Sequence, residues 1–90
     1  MSQHADSGTL HERIRQIRHD SYGDEGVATL AKALKLPPRT WENYEAGVVV
    51  PAPVLLDFIL LTGVEPRWLL TGEGTRYSLR AGSDDLSASN

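Results

Sequence analysis

The sequence predicts an all-α domain of five short helices, and three features carry that prediction. Apolar residues recur at spacings of three and four, the signature of amphipathic helices. Prolines, glycines and capping residues fall between these stripes, where helices start and stop. The β-branched run Val48–Val50 is three residues long and has no partner run, so it reads as an extended link and not as a strand.

Residues 1–8 are small and polar and read as a flexible N-terminal arm. Thr9 with Glu12 makes a capping box, and Leu10, Ile14 and Ile17 form one stripe of a first helix near 9–20. The polar run Asp20–Gly26 ends it. A second helix over 26–35 buries Val27, Leu30, Ala31 and Leu34, with Asp24 and Glu25 at its electropositive end. Pro37 and Pro38 forbid its continuation but suit a new first turn, so a third helix covers 38–46. It carries Trp41 and Tyr44 inward, and Gly47 closes it.

A fourth helix spans 52–62. Seven of the eight residues in its VLLDFILL stretch are apolar, so it is expected to be buried on nearly all sides. Gly63 ends it. A fifth helix over 66–71 is anchored by Trp68 and Leu69 and stops at Gly72. Arg76–Arg80 has extended character, and residues 75–90 are expected to be a mostly disordered C-terminal extension to a 9–74 domain. The expected core is Leu10, Ile14, Ile17, Leu30, Ala31, Leu34, Leu36, Trp41, Tyr44, Leu55, Phe58 and Trp68.

Ninety residues hold one domain, and 23% charged with 40% hydrophobic residues is ordinary for a soluble protein. The absence of cysteine removes disulfides and thiolate sites. The start MSQHADSGTL lacks the apolar run of a signal peptide, and no stretch is long enough to span a bilayer. A cytoplasmic protein without membrane partners is expected. His4, His11 and His19 have no carboxylate cluster, so no metal or other cofactor is expected. Neither is an enzyme, because no nucleophile–base–orienter set is recognisable.

The net charge of −3 is unevenly spread. His11 to Arg39 holds six basic residues (Arg13, Arg15, Arg18, Lys32, Lys35, Arg39) against four acidic ones (Glu12, Asp20, Asp24, Glu25). From Thr40 onward three basic residues face seven acidic ones. Since docking depends on the field of one face, the first half is the side that would meet a polyanion.

Two helices joined by a very short turn make a helix-turn-helix, whose second member can enter the major groove of DNA. The stretch LAKALKLPPRTWENYEAG resembles the phage repressor/Cro (XRE) family. Leu30-Ala31 and Leu34 match its second helix, Leu36 its turn aliphatic, Thr40-Trp41 its Thr-Ile pair, and Tyr44-Glu45-x-Gly47 the end of its recognition helix. The likeness continues through Pro51 to Trp68-Leu69-Leu70-Thr71-Gly72-Glu73-Gly74 and covers roughly Leu10 to Gly74. It implies a repressor-like five-helix fold and a dimeric, sequence-specific regulator of double-stranded DNA.

The resemblance also assigns roles. Base reading falls on Pro38, Arg39, Glu42 and Asn43, where Arg suits guanine, Asn adenine and Glu cytosine. Lys35 and Thr40 become phosphate contacts, and Arg18 pairs with Glu45 in a structural ion pair. Val27 stands where the family has a phosphate-binding glutamine, and Lys35 replaces its turn glycine, which demands φ > 0 or a changed turn. Leu56, Ile59 and Leu60, off the Leu55–Phe58–Thr62 stripe, are the expected homodimer interface. The alternative is an antitoxin-like or antirepressor-like module of the same fold whose main partner is another protein. Val27, Pro38 and the acidic total favour it.

Overall fold

Thr9 opens the first helix by a reciprocal pair of bonds. Its hydroxyl accepts from the Glu12 amide at 3.3 Å, and its own amide donates to Glu12 Oε1 at 3.0 Å. The computed structural model describes residues 8–77 and is all-helical, with five helices among them. They are α1 (Leu10–Tyr22), α2 (Val27–Ala33), α3 (Pro38–Glu45), α4 (Ala52–Thr62) and α5 (Pro66–Thr71).

Each boundary has a local cause. α1 runs three residues into the polar stretch expected to end it, because polar side chains tolerate a helix; the stop is Gly23 at φ 85°. α2 follows only because Gly26 lacks a side chain. A Cβ there would lie 2.3 Å from Tyr22 Cβ and 2.4 Å from Tyr22 O. α2 ends at Ala33 because Lys35 takes φ 61°. α3, α4 and α5 all have proline in their first turn, where no amide bond is lost.

α1 packs against α2, α3 and α5, and α2 against α3. Trp41 is fully buried, with its ring edge-on to Tyr44 at 5.9 Å and 5.0 Å from Phe58. Phe58 is the one fully inward residue of α4. The expectation that α4 is buried on nearly all sides is therefore corrected. Only its Val54/Leu55, Phe58/Ile59 and Thr62 side faces the protein, while Leu56 and Leu60 are 59% and 81% exposed. A domain this small covers one face of a peripheral helix, and the described residues include no further element for the other.

The core needs a second correction. Leu10, Leu36 and Leu55 are half-buried at its margin, whereas Val64 and Leu69 are fully inside. Val64 is covered by an antiparallel bridge to Tyr77, and the Glu65 amide donates to Arg76 O at 2.8 Å. Packing thus continues past Gly74 through Tyr77. His4 of the expected arm and Ser78–Arg80 of the expected extended segment lie outside the described residues. Gly8 is tied down, its carbonyl accepting from Arg13 Nη1 at 2.6 Å. Among the described residues no helix is long and apolar enough to cross a membrane.

Candidate nucleic-acid interface

α3 has two unlike faces. Trp41 and Tyr44 turn inward and are buried; Arg39, Glu42 and Asn43, at spacings of three and four, lie together on the exposed side. Pro38 is exposed at the start of α3, and Thr40 is half-buried between the faces. Lys35 is exposed in the turn before α3. The residues assigned to base and phosphate contact are thus gathered on and just ahead of one helix. Their chemistry suits base edges: Arg presents a fork of donors, and Asn a donor beside an acceptor.

The inner side is held by a charged network. Arg18 Nε and Nη2 each donate to a Glu45 oxygen at 2.9 Å, a bidentate pair with side chains only 8% and 11% exposed. Arg18 Nη1 donates to the carbonyls of Gly23 and Asp24 at 2.8 and 3.1 Å. The hydrogen bonds that Arg18 donates to Glu45 hold its guanidinium above its ordinary pKa. The Trp41 indole N–H also donates to Glu45, at 2.5 Å. The buried Trp41 is accommodated because its one polar atom meets this carboxylate.

Arg13 is the site residue that sequence reasoning missed. It is 6% exposed, and its Nε and Nη2 donate to the carbonyls of Leu69 and Leu70 at 2.7 and 3.2 Å, closing the end of α5. Burial pushes its pKa down, yet a guanidinium stays charged. The signal was present: Leu10, Arg13, Ile14, Ile17 and Arg18 share one helical stripe, so both arginines lie on the apolar face.

That placement changes the electrostatics. Of the six cationic side chains in the first half, Arg13 and Arg18 bind their own chain, leaving Arg15, Lys32, Lys35 and Arg39 exposed. His19 Nε2 lies 2.7 Å from Asp24 Oδ1, and His11 Nδ1 3.2 Å from Thr9 Oγ1. The described residues include no cluster of three metal-ligating side chains. Beside the turn, an open hollow of about 370 Å³ is lined by Ala33, Leu34, Lys35, Asp57, Leu60 and Leu61. Of the expected dimer residues, Leu56 and Leu60 face outward, while Ile59 packs partly on its own core.

Comparison with protein-family models, with curated proteins and with solved structures finds no match to this chain.

Proposed function

We propose that this chain is a dimeric, sequence-specific regulator of double-stranded DNA of the repressor/Cro type, with α3 in the major groove and a cytoplasmic place of action. One observation carries the reading. α3 is anchored through Trp41, Tyr44 and Glu45, so Arg39, Glu42 and Asn43 are offered outward from a rigid base. A recognition element requires this combination, because base-edge hydrogen bonds tolerate little misplacement. The short turn with Lys35 at its apex fits a helix-turn-helix, and its exposed ammonium suits a phosphate.

Dimerisation completes the reading. Leu56 and Leu60, one turn apart on α4, form an apolar surface that a two-fold axis would cover. Two copies would then set their recognition helices about 34–36 Å apart, one turn of DNA. A second reading, a module that mainly binds protein, is favoured by the withdrawal of Arg13 and Arg18 from the surface of a chain of net charge −3.

Selection of bound duplexes from a random pool separates the two. A DNA regulator enriches a motif repeated about a two-fold axis; a protein-binding module enriches none.

A further inference from the structure

Thr75–Tyr77 joins three parts of the fold. Tyr77 pairs with Val64, and Arg76 O accepts from the Glu65 amide, in the link between α4 and α5. The Arg76 guanidinium lies over the Trp68 ring of α5, 5.0 Å from its centroid. Its Nη1 donates to Asp20 Oδ2 and its Nη2 to Gln16 Oε1, both on α1 and both at 2.8 Å. Tyr77 Oη donates to the same Asp20 oxygen at 3.1 Å.

α1 is therefore held from two sides. At about 100° per residue, Gln16 and Asp20 project roughly opposite to Arg18. The Arg18–Glu45 side is 8% and 11% exposed, the Arg76–Asp20 side 41% and 34%. Solvent-exposed pairs are weak, and regions held by them open below the threshold for global unfolding. The C-terminal side can release while the core stays closed.

We propose that Thr75–Tyr77 is a releasable latch, whose closing orders the last turns of α1 and seats α3 and whose opening loosens both. The route is short. Asp20 stands two residues from Arg18, and Arg18 holds Glu45 on α3 together with the Gly23 and Asp24 carbonyls. Unlatching takes two donors from Asp20, the cation from Trp68 and the cover from Val64. The segment that frays is the one that ties α1 to α3. The device needs two states, latched and unlatched, in equilibrium.

Hydrogen exchange of the full 90-residue chain without DNA tests this, independently of the DNA reading. Arg76→Ala is expected to speed exchange roughly threefold or more at Glu65, at Asp20–Gly23 and within α3, with a smaller change at the slowest core amides around Ile14 and Leu30. Asp20→Asn, which keeps the side-chain volume and Thr75–Tyr77 intact, is expected to reproduce the α1 and α3 pattern. Acceleration confined to Glu65 and its neighbours would overturn the proposal, because Thr75–Tyr77 would be a local tie only. Uniform acceleration of all amides would overturn it too, because the segment would then serve global stability.

Discussion

Arg18 and Glu45 meet in a fork: Nε to Oε2 and Nη2 to Oε1, both at 2.9 Å, tie α1 to α3 across 27 residues of sequence. Glu45 also accepts the indole N–H of the buried Trp41. One carboxylate thus sets where α3 sits and how it is rolled.

Removing that carboxylate orphans three donors at once, two on Arg18 and one on Trp41. Glu45→Ala is expected to lower unfolding stability by about 3 kcal/mol, in the range for breaking one side of a buried pair. Glu45→Gln keeps an acceptor for Trp41 and is expected to cost clearly less. Urea unfolding followed by tryptophan fluorescence measures both. Equal losses would show that Trp41 contributes nothing to the network.

Lys35 holds φ 61°, a region that disfavours side chains by about 1–2 kcal/mol. Lys35→Gly removes this strain but loosens the unfolded chain, so stability should hold or rise by up to about 1 kcal/mol. Lys35→Val, branched at Cβ, should lose at least about 1 kcal/mol. If Lys35 also meets a phosphate, Lys35→Gly weakens binding to all duplexes alike while the fold stays firm. Thermal melts and duplex titrations with the two variants separate the effects.

Leu56 and Leu60 predict association. Sedimentation of the native chain at micromolar concentration is expected to show dimers, and Leu60→Lys monomers, with an unchanged melting profile at low concentration, since the side chain is 81% exposed. A monomeric native chain would remove the interface from the account.

Tyr77 gives a pH dependence. Burial pushes its hydroxyl above the ordinary tyrosine value, with Asp20 adding to the shift and the Ser21 hydroxyl and Arg76 opposing it. A raised folded-state pKa means that this contribution to stability is complete below about pH 10, the unfolded value, and declines as pH rises beyond it. Tyr77→Phe is expected to abolish that alkaline decline. Melting temperatures between neutral and strongly alkaline pH check it.

The helices were legible because their punctuation is local. Thr9, Gly23, Pro37, Pro51, Gly63 and Gly72 each act within one or two residues of themselves. The pairing of Arg18 with Glu45 was legible only through resemblance, since nothing in spacing joins residues so far apart. Arg13 and Val64 were not foreseen because their partners are tertiary: the carbonyls of Leu69 and Leu70, and the backbone of Tyr77. α4 misled because an apolar sequence reports what must be covered, not whether the same chain covers it.

The outer face of α3 is proposed to read base pairs. Its most direct test measures the affinity of the native chain and of Arg39→Ala for a selected duplex and a random one over a salt series. Native binding is expected to prefer the selected duplex and to weaken steeply with salt. Arg39→Ala is expected to lose about 1–3 kcal/mol on the selected duplex and far less on the random one. Binding that ignores salt, or an equal loss on both duplexes, would contradict it.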